Sequence, residues 1–323
     1  MNHRWQPSAS REIIRFRAAM LRNIRAFFEQ RGVLEVETPL LSSSSSTDPN
    51  LNSFATNYQR NELYLNTSPE HCMKRLLAAY GEPIFQVCKS FRDDELGPFH
   101  NPEFTMLEWY RPGLDMFELM DELGDLVRTL EQNHQPCGLF ERSSYASVYQ
   151  RVVGIDPHTA TTDECRRCAV ERGLPLPAGM GETVDEWLDW LMIELVMPSL
   201  ATDRYTFIYD YPASQAALAN VYHNQQGQVV AARFELFYGK IELANGFDEL
   251  RDAAEQRRRF DRENVERSAR GLRAAHVDEY FLNALERGLP CCSGVAVGLD
   301  RLLMILSGAP VLEQVLTFPF RRI

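Results

Sequence analysis

Two strand-like segments, "PIFQVCKSF" and "EFTMLEWY", stand on either side of the polar loop "RDDELGPFHNP". A connection of this length joins neighbouring antiparallel strands, whereas parallel strands need a longer crossover, usually through a helix. Further strand-like segments, "YTFIYDYPA", "VVAARFELFYGKIELANGF" and the start of "CCSGVAVGLDRLLMILSG", follow a largely helical middle from about Asp115 to Leu200. Strands at both ends, hairpin rather than βαβ spacing, and helices between them predict an α+β fold built on an antiparallel sheet flanked by helices. At 323 residues, 45 % of them apolar, the chain is long enough to bury a large core.

Local signals mark the elements around that hairpin. From Ser10 to Arg31 apolar residues recur at helical spacing, with Ser10 placed as N-cap and Gly32 as the stop. The helix leads into "VLEVETPLL", read as a strand whose Pro39 points to an edge or a distortion, and then into the serine run Ser42 to Ser46, read as a mobile loop. Such a strand suits a boundary, a dimer contact for example. "ELYLNTSPEHCMKRLLAAYGE" predicts a strand over Glu62 to Leu65 and a helix with Ser68 as N-cap and Pro69 at its first position. Glu70 then lies in the first turn, where a carboxylate complements the helix dipole.

Composition excludes some functions. No apolar run approaches the roughly 18 residues of a membrane-spanning helix, and arginines thread the N-terminal segment "MNHRWQPSASREIIRFRAAM". Seven cysteines, an odd number, do not describe a disulfide framework, so the expectation is a soluble protein of a reducing, cytoplasmic compartment. A formal charge of -11 argues against a chain devoted to gripping long nucleic acid. Cys165 and Cys168 form a CxxC near His158, but a zinc or redox site needs more ligands at matching spacing, and Cys291 and Cys292 read as core. "GVAVGLDR" lacks a Walker lysine, and GxGxxG does not occur.

The stretch "FRDDELGPFHNPEFTMLEWY" carries five carboxylates, one arginine and one histidine. Its alternation places Phe104, Met106, Glu108 and Tyr110 on one face and Thr105, Leu107 and Trp109 on the other. Taken singly, Arg92 paired to Asp94, Glu242 facing solvent and Asp300 capping the last helix are ordinary explanations for the charges here and in "GKIELANGFDEL" and "GVAVGLDRLLMI".

Together these segments resemble the catalytic domain of the class II aminoacyl-tRNA synthetases, lysyl branch. "VLEVETPLL" is similar to motif 1, the Phe91 to Tyr110 stretch to motif 2 and "GVAVGLDRLLMI" to motif 3, with "TSPE" and "ELANGFDEL" similar to two lysyl-type pocket segments. The resemblance runs from about residue 10 to the C-terminus and implies one catalytic domain over residues 1–323. It implies that Arg92 clamps the α-phosphate of ATP, that Phe104 stacks on adenine and that Arg301 meets the γ-phosphate. Asp93, Asp94, His100 and Asn101 fall in the nucleotide loop, Leu243 and Gly298 line the nucleotide, and Glu242 and Glu249 are placed for Mg²⁺. Ser68, Pro69, Glu70, Tyr110, Glu249 and Ala296 fall at amino-acid positions.

Adenylation brings a carboxylate to the α-phosphorus of ATP, two negative partners that Arg92, Arg301 and Mg²⁺ would neutralise, and guanidinium suits phosphate better than ammonium does. A diamine substrate calls for carboxylates and a phenol, which Glu70, Glu249 and Tyr110 supply.

Three departures from the lysyl pattern set further expectations. Motif 1 begins near residue 33, so no N-terminal OB anticodon-binding domain is expected and tRNA is an unlikely acceptor. Ala296 stands where that branch has glycine, which favours a diamine acid with its amine elsewhere. Asp94 replaces glutamate and reaches about one methylene less. A truncated lysyl-type chain resembles the paralogues that act on a protein. The resemblance then implies a homodimeric, AMP-forming ligase that activates (R)-β-lysine and transfers it to a lysine of elongation factor P. The alternatives are a truncated enzyme charging tRNA with lysine and a catalytically silent amino-acid sensor. The arginine-rich "EQRRRFDRENVERSARGLR" is read either as a solvated helix face or as a docking patch for that acceptor.

Overall fold

A computed structural model of the chain describes residues 5–131, 138–177, 179–181 and 183–323. In chain order the strands are β1 Leu34–Glu35, β2 Leu41–Ser42, β3 Ala55–Tyr58, β4 Asn61–Leu65, β5 Ile84–Phe91, β6 Glu103–Pro112, β7 Phe140–Ser144, β8 Tyr205–Pro212, β9 Val221–His223, β10 Val229–Tyr238, β11 Ile241–Asp248 and β12 Cys292–Gly298. The described residues gather into two compact units, one within Met1–Pro136 and Leu250–Ile323, the other within Cys137–Glu249.

In the first unit β5, β6 and β12 form an antiparallel sheet, and β1 joins β5 in parallel. Helix α1 (Arg11–Glu29) starts at Ser10, whose hydroxyl accepts from the Ile13 amide at 3.3 Å. Its buried residues Met20, Ile24, Phe27 and Phe28 share one face. Phe28 stacks on Phe85 at 4.5 Å between ring centroids and meets Trp109 edge-on at 5.2 Å. The Trp109 indole N–H donates to Glu122 of α3 (Met116–Glu131), so the face that carries Trp109 packs against α1 and α3.

The predicted "VLEVETPLL" strand is broken in the structure. β1 pairs with β5, β2 pairs with β4, and the stretch carrying Pro39 lies between them, because proline has no N–H to give a ladder. The serine run is also anchored rather than loose. The Ser45 amide donates to the His276 carbonyl at 3.2 Å, Thr47 bonds Glu263, and Arg267 and Arg270 reach Asp48 O and Asn50 Oδ1, both at 2.9 Å. The last three partners lie on or just beyond the helix Ala253–Ala269. Three more of its arginines are engaged within the protein, Arg257 with Glu279 and Arg258 and Arg259 with Glu255.

The second unit orders β11-β10-β8 antiparallel, with β7 parallel to β8 and β9 on β10. Tyr145, Tyr149, Trp187, Leu188 and Leu191 fill its core, and Cys165 and Cys168 are buried among them. Burial pushes the Cys165 thiol up to about 11, and no cluster of three or more metal-ligating side chains occurs among the described residues. Both side chains belong to the packed core of this unit. Cys292 is buried as expected, while Cys291 is exposed.

Candidate nucleotide and amine site

The first unit assembles one wall of charged groups from the β5–β6 hairpin, helix α2 (Glu70–Tyr80) and the start of the helix Leu299–Ser307, here α4. Register opposes Ser90 to Phe104 and Phe91 to Glu103, and the Arg92 amide closes the hairpin on the Pro102 carbonyl at 2.9 Å. The loop then folds back at Gly97 and His100, which exchange backbone hydrogen bonds of 3.1 and 3.3 Å.

Arg92 lies with its guanidinium carbon 5.2 Å from the Phe104 ring centroid, within the range of a cation–π contact. Its ion-pair partner is Glu95 at 3.6 Å rather than Asp94, and its buried Nε has no hydrogen-bond partner. Arg301, in the first turn of α4, donates from Nε to the Phe99 carbonyl at 3.1 Å. Both guanidiniums act on His100, whose pKa is lowered first by burial and then by Arg301, with Arg92 adding to the effect. The structure thus brings Arg92, His100, Phe104 and Arg301 together as a cationic patch beside an aromatic ring. Such a patch is built for an anion with a flat apolar group attached.

The lowered pKa of His100 has a defined consequence. Its ring stays neutral at pH 7, and because the unfolded chain binds the proton more readily, its stability contribution is intact above the ordinary 6.5 and is lost as pH falls below it. An NMR titration should place His100 below 6.5, and Arg301→Ala should move it upward; an unchanged midpoint would remove Arg301 from this patch.

The remaining loop residues are held by the protein. The Asp93 amide donates to Asn52 O at 2.8 Å, and the Asp93 carboxylate accepts from the Asp94 amide at 2.9 Å. Asp94 adopts φ 63°, a left-handed conformation that aspartate tolerates, and its carboxylate accepts from Asn52 Nδ2 at 3.4 Å. The Asn101 side chain donates to Glu103 O at 2.6 Å and accepts from the Phe320 amide at 3.0 Å, so it ties the C-terminus to the loop.

Asp300 does not cap α4, whose N-cap is Gly298 without a side-chain bond. Its carboxylate pairs with Arg17 of α1 and accepts from the Thr105 amide at 2.7 Å. It fixes the residue next to Phe104.

Farther along the same face, register sets Glu108 between Gln86 and Ala296, and Tyr110 between Ile84 and Gly294. The Tyr110 hydroxyl donates to Glu108 at 2.6 Å, which turns its oxygen lone pairs toward any N–H donor. Burial, and then the Glu108 carboxylate, push the Cys88 thiol up to about 12. α2 begins at Glu70 with Pro69 as N-cap, one residue later than predicted, and the Ser68 hydroxyl accepts from the Glu70 amide at 3.2 Å. Glu70 is paired to Lys74 at 2.6 Å. Glu108, 2 % exposed, was grouped with the predicted face but not among the predicted site residues. A buried carboxylate two positions before a predicted amine-binding tyrosine was the available signal.

In the second unit Glu242 stands opposite Phe237 beside a register shift, Leu243 is buried, and Glu249 bridges to Ala219. Burial disfavours the charged form of Arg233, but Glu235, then Tyr211 and Glu242, hold it charged. Tyr211 donates to Glu235 at 2.6 Å, and burial first, then the Glu235 and Glu242 carboxylates, push its phenol pKa up. Glu235 and Glu242 therefore flank one buried guanidinium, and Glu235 is a carboxylate that sequence reading passed over.

A family model described as tRNA synthetases class II (D, K and N) matches residues 4–322. The chain belongs to the class II tRNA synthetase family. Among curated relatives of this synthetase chain, proteins named elongation factor P--(R)-beta-lysine ligase are 47 % identical in Salmonella arizonae and 48 % identical in Salmonella paratyphi B and Salmonella schwarzengrund. Each comparison spans 98 % of this chain and 98 % of the relative.

Proposed function

We propose that this chain is an ATP-dependent, AMP-forming ligase that activates (R)-β-lysine as its adenylate and transfers the β-lysyl group to the ε-amino group of a lysine on elongation factor P. In the first step a substrate carboxylate oxygen bonds to the α-phosphorus of ATP and pyrophosphate leaves. In the second the acceptor amine attacks the carbonyl, AMP leaves and the amine gives up its proton. The observation that carries this reading is the convergence of Arg92 and Arg301 on His100 beside Phe104, with the buried Arg92 Nε unpartnered. That arrangement fits ATP, whose phosphates would satisfy the guanidiniums and whose base would lie on the ring.

Mg²⁺ fits the donor chemistry. Glu242 and Glu249 carry the hard carboxylate oxygens that Mg²⁺ prefers and would hold the ion. Bound there, Mg²⁺ would offset phosphate charge. The protein's own groups do the positioning: Glu70, Glu108 and Tyr110 orient the substrate ammonium, and Ala296, opposite Glu108, narrows the space beside it. The relatives' names support the choice of β-lysine as substrate and of elongation factor P as acceptor.

A homodimer accords with the exposed apolar Leu34, Leu41 and Tyr58 around the Pro39 break. A single catalytic domain acting in the cytoplasm completes the proposal; no helix among the described residues is long and apolar enough to cross a membrane. ATP–pyrophosphate exchange tests the activation step. Exchange should depend on (R)-β-lysine and be at least about tenfold weaker with L-lysine. Absence of exchange with either would favour the silent sensor.

A further inference from the structure

The nucleotide loop, residues 97–101, rests on a part of the chain outside the three motifs. Three acceptors of the loop are met by later residues. The Leu312 amide donates to the Pro98 carbonyl at 2.9 Å, Arg301 Nε to the Phe99 carbonyl at 3.1 Å, and the Phe320 amide to Asn101 Oδ1 at 3.0 Å. Asn101 is buried and its Nδ2 donates to Glu103 O at 2.6 Å, so one carboxamide joins the backbone at Phe320 to the residue before Phe104. The later segment is itself anchored. Leu312, Val315 and Leu316 are buried, and the Ser8 and Ala9 amides donate to the Thr317 and Leu316 carbonyls at 2.9 and 3.2 Å. Arg17, which pairs with Asp300, also donates to the Val315 carbonyl at 3.2 Å.

A binding loop contributes most when its groups are held in place before the ligand arrives, and neighbouring segments do that holding. His100 lies between Phe99 and Asn101, both tied to later residues, and Arg301 is at once a member of the cationic patch and the donor to Phe99. We infer that the segment 312–322 is an ATP-positioning element, with the Phe320 amide as its positioning group, acting on the nucleotide loop through Asn101. This rests on the proposed ATP-dependent activation. The segment acts through the loop rather than on the amino acid, so weakening it should impair the use of ATP and leave the use of amino acid as it was.

The hydrogen bond can be removed without touching Asn101. Phe320 opens the short helical turn Phe320–Arg322, the preceding Pro319 is extended at φ -69° and ψ 159°, and the Phe320 ring is 44 % exposed. Phe320→Pro therefore suits the backbone there and deletes the N–H, while Phe320→Ala removes the same ring and keeps it. In ATP–pyrophosphate exchange with the full chain and (R)-β-lysine, Phe320→Pro should raise KM for ATP about three- to tenfold, the worth of one hydrogen bond, with KM for the amino acid within about twofold of wild type. Phe320→Ala should match wild type. Asn101→Ala should also raise KM for ATP, and adding Phe320→Pro to it should raise it no further. An unchanged KM for ATP in Phe320→Pro, an equal rise in Phe320→Ala, a parallel rise in both KM values, or losses that multiply in the double variant would overturn the inference. In the wild-type protein, linkage requires ATP to strengthen the same bond. Hydrogen exchange at the Phe320 amide should slow by about the same three- to tenfold with saturating ATP and not with amino acid alone. Unchanged protection also overturns the inference, and this measurement decides it if Phe320→Pro does not fold. Absence of wild-type pyrophosphate exchange with both (R)-β-lysine and L-lysine would instead count against the proposed function itself.

Discussion

Arg92→Ala should reduce ATP–pyrophosphate exchange by at least about 10²–10³-fold while the protein remains folded. The size follows from what the side chain faces. The guanidinium has only a 3.6 Å pair with Glu95, one buried N–H without a partner, and a second arginine close enough to act on the same histidine. Protein seldom holds two cations together unless an anion completes them, and a phosphate undergoing substitution gains most from donors fixed in advance. Folding should be little affected, because the residue's backbone closes the hairpin through its amide and Pro102, which alanine preserves. Arg92→Lys would keep the charge but lose the planar fork, so it should remain strongly impaired. Exchange at the wild-type rate in either variant would misplace the nucleotide.

Asp300→Ala should have the largest effect on stability. Its side chain is 3 % exposed, and one carboxylate holds Arg17 of α1 on one oxygen and the Thr105 amide on the other. Removing it leaves a largely buried guanidinium and a buried N–H without their acceptor, a loss of about 3–5 kcal/mol for a broken buried pair. Urea unfolding should show that loss, and KM for ATP should rise as well because Thr105 adjoins Phe104. Asp300→Asn keeps an acceptor for the amide and should lose less. A variant within about 0.5 kcal/mol of wild type would show that the pair is replaced by water.

Sequence patterning made the local parts of this fold legible. Ser10 caps α1, and the alternation of the Phe91 to Tyr110 stretch separates Trp109 from Tyr110. What escaped depended on distant partners. The parallel pairing of β1 with β5 and of β7 with β8 leaves no periodic signal, and Pro39 was recognised as a distortion without showing that it divides the strand. The serine run looked loose because its anchors, Glu263, Arg267 and Arg270, lie more than two hundred residues away.

The site follows the same rule. Arg92, His100, Phe104 and Arg301 were named from motifs, and the structure gathers them. Lys74 was not singled out by any motif, while Asp300 read as a cap. Each takes its surroundings from other elements, Tyr110 and Phe281 for Lys74, Arg17 and Thr105 for Asp300.

The proposed transfer can be measured in one reaction containing the protein, ATP, Mg²⁺, (R)-β-lysine and L-lysine, with elongation factor P and lysine tRNA both present as acceptors. Intact-mass analysis should show elongation factor P gaining one β-lysyl group on a lysine ε-amine while the tRNA stays uncharged. Charged tRNA beside unmodified elongation factor P would contradict the account.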